Sequence, residues 1–316
     1  MRPSHTISRR DFVASAGLAL AAVYLGPGQA SAAEPADGPV QVIRRAGAAA
    51  KVTVRELRGN VSVVEGSGGN IAVLNGPDGK LLVDAGVSRA NVQAAVDGIG
   101  RGPIRYVVNS HWHFDHTDGN PWLHEAGATV VAHENTRKRM SAETRVDGWN
   151  FTFPPAPTAA LPEVVFRGPT ALHLNGTTVA LDPYPPAHTD SDVRVAFVEA
   201  DVVHVADTWW NGHYPFIDYS TGGSIDGSIR AAEANVDAVT DRTVVIPGHG
   251  PVGDKRQLTE FRDMLRAVRD AVAALKKQGR TADEVVAARP TARFDAKWGR
   301  FVTAPATFAR LVYAGV

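Results

Sequence analysis

Cysteine is absent from all 316 residues. Disulfides, thiolate nucleophiles and sulfur-ligated metal sites are thereby excluded, so any transition metal must be held by imidazole and carboxylate. The compartment stays open, because exported proteins can dispense with disulfides. Net charge is missing too: Lys+Arg and Asp+Glu each number 33. With neither a basic field nor an acidic tail, no nucleic-acid partner is expected, and a small-molecule substrate is. After the N-terminal segment no apolar run is long enough to span a bilayer, so no membrane association is expected once that segment is removed.

That first segment reads as an address. Ser8-Arg9-Arg10-Asp11-Phe12-Val13 sets two arginines before an Ala-, Leu- and Gly-rich run from Phe12 to Leu25, which ends near Ala30-Ser31-Ala32, a small-x-small cleavage site. The pattern predicts a twin-arginine signal peptide over residues 1–32, read by the twin-arginine export machinery and removed to leave a periplasmic or secreted chain. Residues 33–50, rich in Ala, Gly and Pro, are expected to be a flexible lead-in, and residues 51–316 a single domain.

Within the domain, alternating β-branched runs at Lys51–Leu57, Val61–Glu65, Asn70–Leu74 and Lys80–Val83 predict an antiparallel meander. A helix capped by Ser88 is expected over Arg89–Ile99, then a buried strand at Ile104–Asn109. Ala128–Ala132 reads as a strand and Trp149–Pro169 as a long proline-laden aromatic loop. Strands are expected again at Thr170–Leu174, Thr177–Leu181, Val193–Val198, Val202–Val205 and Thr243–Ile246, and helices at Ser224–Val239, Lys255–Lys277, Thr281–Ala288 and Pro305–Val312. Two similar successions of strands and helices suit two sheets packed face to face with helices outside.

The densest signal is His111-Trp112-His113-Phe114-Asp115-His116, with four metal-ligating side chains in six residues. At a strand end, His111 and His113 would point the same way and grip one ion, and Asp115 and His116 would face a second after the chain turns. Three later segments repeat the logic of a ligand after an apolar strand: Pro186-Ala187-His188, Val205-Ala206-Asp207 and Gly248-His249-Gly250, whose glycines allow close backbone approach. Imidazole with carboxylate suits zinc. Beyond Asp207, the stretch Trp209-Trp210-Asn211-Gly212-His213-Tyr214 offers Trp209, Trp210 and Tyr214 as substrate-binding residues and His213 as an acid at the pocket rim. Trp149–Phe153 is a candidate opposing lid. His204 reads as a core histidine, and His124, His133 and His173 as surface or capping residues.

In order and spacing, His-x-His-x-Asp-His followed by a later His, an Asp and a Gly-His-Gly resembles the metallo-β-lactamase superfamily. Leu82-Val83-Asp84-Ala85-Gly86 resembles that family's first motif. The likeness covers roughly Val52 to Pro251. It implies an α/β fold, a four-layer αββα sandwich with metals at the mouth between the sheets. It also implies two zinc ions, Zn(2+), per chain: one on His111, His113 and His188, the other on Asp115, His116 and His249, with Asp207 bridging and Asp84 supporting from behind. By the same likeness a metal-bound hydroxide, oriented by Asp115, cleaves a small ester, lactone, thioester or amide, β-lactams included. The lack of cysteine excludes the β-lactamases whose second zinc is held by cysteine, and Asp207 makes the set look more like the glyoxalase II, lactonase and general hydrolase branches than like the β-lactamases that lack a bridging aspartate. Two other readings stand beside this one. Persulfide dioxygenases resemble this fold and use one iron on two histidines and an aspartate, a subset present as His111, His188 and Asp207. A metal-binding accessory protein without turnover would carry the same ligands.

Overall fold

The β-branched runs pair as their alternation predicts. The computed structural model describes residues 38–316, so the expected signal over 1–32 and the start of the lead-in lie outside the described residues. Strands β1 (Thr53–Glu56), β2 (Val61–Glu65), β3 (Ile71–Gly76) and β4 (Gly79–Val83) form the antiparallel meander. Strands β5 (Ile104–Asn109), β6 (Thr129–His133) and β9 (Val164–Phe166) extend it in parallel, giving a seven-stranded sheet ordered β1-β2-β3-β4-β5-β6-β9. Between β6 and β9, strands β7 (Thr144–Val146) and β8 (Phe151–Phe153) make a separate hairpin. The second sheet runs in sequence order through β10 (Thr170–Leu174), β11 (Thr177–Pro183), β12 (Val193–Phe197), β13 (Val202–His204) and β14 (Val244–Ile246), with only the last pair parallel.

Period-2 alternation decides the layers. Val61, Val63, Leu81 and Val83 point inward and meet Val179, Leu181, Val195 and Phe197 of the second sheet in one buried cluster. Their outward neighbours Val64, Val73, Leu82 and Val107 pack under Val92 and Val96 of a helix at Arg89–Gly98. The outer side of the second sheet, through Val203 and Val245, meets Leu258, Phe261, Leu265 and Val268 of the long helix Lys255–Lys277, and a C-terminal helix at Pro305–Gly315 adds Phe308 and Val312. The result is the expected αββα sandwich. No described helix is long and apolar enough to cross a membrane.

Three expectations change. Residues within the lead-in form helix α1 (Pro39–Ala49): Pro39 stands at the start, where its missing N–H costs nothing, Val40 is buried, and Arg44 grips Asp118 through Nε at 2.6 Å and Nη2 at 3.0 Å. Composition suggested a loose segment because these docking partners lie far along the chain. Ser88 stands at the N-cap of its helix, but its side chain makes no cap hydrogen bond. The loop expected over Trp149–Pro169 instead contributes β8 to the hairpin and β9 to the first sheet's edge.

Candidate metal centre

All seven candidate ligands come from chain segments at one end of the two sheets. Strand β5 ends at Asn109, so His111 and His113 leave the sheet in a turn and do not alternate along a strand as expected. The side-chain amides of Asn109 and Asn120 exchange hydrogen bonds of 3.0 and 2.8 Å and anchor that turn. A one-turn helix, Phe114–Thr117, then swings Asp115 and His116 to the other side of the cluster. His188 sits in the turn before β12, which the Asp192 carboxylate fixes by accepting from the backbone N–H of His188 and Thr189 at 2.8 and 2.9 Å. Asp207 follows β13 in a tight turn that puts Ala206 at φ +50°, where a Cβ is strained. Gly248 closes on that turn, its N–H donating to Ala206 O at 2.7 Å, and His249 follows β14.

Three groups of candidate ligand atoms each lie within 4.8 Å of one another: His111, His113 and His188; His111, His116 and Asp207; and Asp115, His116 and His249. Asp207 reaches both sides, with Oδ1 3.2 Å from His116 Nε2 and Oδ2 3.4 Å from His188 Nε2 and 3.3 Å from His249 Nε2. Asp115 Oδ2 lies 3.3 Å from His249 Nε2. Asp115 and His249 are each 8% exposed and the other five ligands 4% or less, so the cluster opens to solvent on that side.

The surrounding hydrogen bonds set which nitrogen faces inward. His188 Nδ1–H donates to Phe216 O at 2.8 Å, leaving the Nε2 lone pair for the cluster. His113 Nε2–H donates to Asp218 at 3.0 Å, leaving Nδ1. Those two acceptor nitrogens then face each other at 2.9 Å, an arrangement that needs a cation or a shared proton between them. Asp84 stands behind His111 and His116. It accepts from His116 Nδ1 at 2.8 Å and from Ser110 N and Oγ at 2.7 Å, and Ser110 Oγ lies 3.1 Å from His111 Nδ1. His111 Nε2, His116 Nε2 and Asp207 Oδ1 are buried with no hydrogen-bond partner. Buried polar atoms are rarely left so, and three converging at one point fit a divalent metal centre.

Electrostatics agree. Burial pushes the Asp207 and Asp115 carboxyls up, yet His249, His116 and, for Asp207, His188 outweigh it, holding Asp207 well below the usual range and Asp115 at about 2. Burial disfavours charge on His116 and His249, yet Asp207 and Asp115 carry His116 well above 6.5 and His249 to about 9. Two carboxylates are thus balanced by two imidazolium groups where cations would otherwise sit. Burial, with His116 next, draws His111 well down, so its neutral form is ready to ligate.

Of the three substrate-binding candidates, only Trp210 adjoins the cluster, its ring 4.3 Å from that of His249. Trp209 is fully buried in the core. Tyr214 is buried too: its ring stacks on Phe308 at 4.6 Å and its hydroxyl donates to Asp295 Oδ1 at 3.0 Å. Both are therefore packing residues, since the turn after Asp207 dives beneath the C-terminal helices. His213 stacks on Phe301 at 4.4 Å, and burial, reinforced by His249, draws it to about 4, which leaves it neutral at pH 7 and a poor acid. His204 is the satisfied core histidine expected, Nε2 donating to Asn70 O at 2.9 Å and Nδ1 accepting from Ala206 N. Trp149 of the expected lid does border the site, 4.7 Å from the His113 ring. Phe216 ends the aromatic stretch that follows Asp207, whereas no local motif marks Asp218, Ser110 or Phe301.

The sequence matches the Metallo-beta-lactamase superfamily over residues 64–253. No curated protein matches. Among solved structures, the stereoselective inverting sec-alkylsulfatase Pisa1 from Pseudomonas sp. is similar at 18% identity and a TM-score of 0.60, the alignment covering 83% of this chain and 50% of that one. This chain therefore spans about half the length of the alkylsulfatase. A metallo-beta-lactamase from Pontibacter korlensis aligns at 18% identity and a TM-score of 0.54, over 68% of this chain and 99% of that one. DIM-1 metallo-beta-lactamase gives 18%, 0.55, 68% and 97% respectively. At such identities these likenesses speak to fold.

Proposed function

Because the chain belongs to the metallo-β-lactamase superfamily, we propose that it is an exported, binuclear zinc hydrolase that cleaves a small ester, lactone, thioester or amide. The observation that carries this reading is the convergence of His111 Nε2, His116 Nε2 and Asp207 Oδ1, all buried and none in a well-formed hydrogen bond, beside the facing acceptor nitrogens of His113 and His188. His111, His113 and His188 would hold one ion and Asp115, His116 and His249 the other, with Asp207 between them. Zinc bound there would lower the pKa of water toward neutrality and polarise the bond to be broken. Asp115, at the open side, would help hold the second ion and orient the attacking water. Asp218, Asp84 and Phe216 O lock the imidazoles, so the site needs little reorganisation. The convergence of Asp115, His116 and His249 with the first triad supports two ions over the single iron of a dioxygenase.

The test is a metal analysis paired with a hydrolysis panel: nitrocefin, an acyl-homoserine lactone, lactoylglutathione, aryl esters, bis-nitrophenyl phosphate and an alkyl sulfate. About two zinc ions per chain are expected, with activity lost to a chelator and restored by zinc. Asp115→Asn should lower kcat by about 10²-fold or more. Full activity in metal-free protein would overturn the reading. Export rests on the twin-arginine pattern at Arg9-Arg10. It is checked by the N-terminus of the chain recovered outside the cytoplasm, expected near Ala33.

A further inference from the structure

Two half-buried aromatic side chains, far apart in sequence, stand at opposite ends of the metal cluster. Trp149 lies at the tip of the β7–β8 hairpin, its ring 4.7 Å from His113 and stacked on Phe216 at 4.9 Å with planes 22° apart. That tip is braced: Asp147 N donates to Ser220 Oγ, and Arg145 donates to both Asp147 and Asn150. Phe301 lies in the loop between the last two helices, 6.0 Å from the rings of His249 and Trp210 and held against His213. At one end Trp149 packs on Phe114 at 5.6 Å as well as on His113, and at the other Phe301 lies beside His249, one of the cluster's two more exposed residues. Among the described residues the carboxylates of Asp115 and Asp207 are ion-paired with histidines alone, so no lysine or arginine pairs with the cluster.

From this we infer that Trp149 and Phe301 are specificity-determining walls that select an uncharged substrate carrying an apolar acyl or alkyl arm. The inference rests on the hydrolase reading and narrows its substrate class. A reacting carbonyl at the cluster puts the groups on its two sides against one aromatic each. Burying a methylene against such a wall is favourable, whereas an anionic arm would exchange water for two apolar ring faces. The walls come from a hairpin and from a C-terminal loop, so arm length is read independently of the ligands.

The experiment uses zinc-loaded protein and p-nitrophenyl acetate, butyrate and hexanoate, alongside calorimetric binding of octanamide as a neutral, unreactive probe. In the wild type, kcat/KM should rise about two- to fourfold per methylene, chiefly through KM. Phe301→Ala and Trp149→Ala should flatten that rise and weaken octanamide binding about tenfold, with zinc content unchanged. Phe301→Leu, which keeps an apolar wall, should restore most of the slope. A flat chain-length profile in an active wild type overturns the inference and leaves the hydrolase reading standing. Loss of all ester turnover strikes the hydrolase reading instead, and the walls are then judged by octanamide, whose failure to bind the wild type overturns them.

Discussion

At the level of single residues, two glycines set how closely backbone can approach the ligands. A methyl group on Gly69 would sit 2.1 Å from His116 Cε1, and one on Gly248 would sit 1.9 Å from Asp207 Oδ1. Neither neighbour can give way, because His116 is tied to Asp84 and Asp207 leaves a strained turn. Gly69→Ala should therefore reduce zinc from about two ions per chain toward one and lower kcat at least tenfold. Gly98→Ala, where a Cβ meets nothing within 4 Å, should leave both untouched and add about 0.5–1 kcal/mol of stability. Elemental analysis and chemical denaturation read both outcomes, and a Gly69→Ala protein with its full zinc complement would show that the contact is dispensable. The seven candidate ligands stood out in the sequence because their types are rare together and their spacing is dense. Asp218 was not, since its only signal is a hydrogen bond to His113 across 105 positions. Trp209 and Tyr214 looked like pocket residues for the opposite reason: they follow Asp207 closely, and proximity in sequence does not reveal which way a turn faces.

Among elements, helix α1 has the least expected role. Its Arg44 pairs with Asp118, two residues past His116, and lies 5.1 Å over the Phe114 ring. Burial pushes the Asp118 carboxyl up and Arg44 draws it back. Arg44→Ala should loosen the turn that carries Asp115 and His116, with zinc affinity falling several-fold in chelator competition. The stability cost should stay near 1 kcal/mol, because the Arg44 side chain is 39% exposed and solvent screens the pair. Arg44→Lys should recover part of the affinity, and unchanged affinity in Arg44→Ala would limit the helix to covering apolar surface. Sequence periodicity found the strands that build both sheets, since burial on one face imposes alternation. It missed α1 and β9 because a short helix and an edge strand take their order from tertiary contacts: β9 is exposed along Val164 and Val165 and is ordered by pairing with β6 and by Phe166 packing on the core between the sheets.

For the whole molecule, the ligands divide between the two halves: His111, His113, Asp115 and His116 follow the first sheet, and His188, Asp207 and His249 belong to the second. Bound ions would join the halves at the rim. Chelation should therefore lower Tm by roughly 5–10 °C, since a ligand at a thousandfold over its Kd adds about 4 kcal/mol. Scanning calorimetry with and without chelator, followed by zinc repletion, measures this, and an unmoved Tm would mean that the ions carry no structural load.

Asn70 joins the same two halves without any ion. Its side-chain amide donates to Pro247 O at 2.9 Å and Gly250 O at 2.8 Å, its N–H donates to Gly248 O, and its carbonyl receives His204. The loop that bears His249 is thus moored to the opposite sheet by ordinary amide chemistry. An arriving ion would meet a finished socket, and filling it would be an exchange of protons for metal with no refolding of the chain.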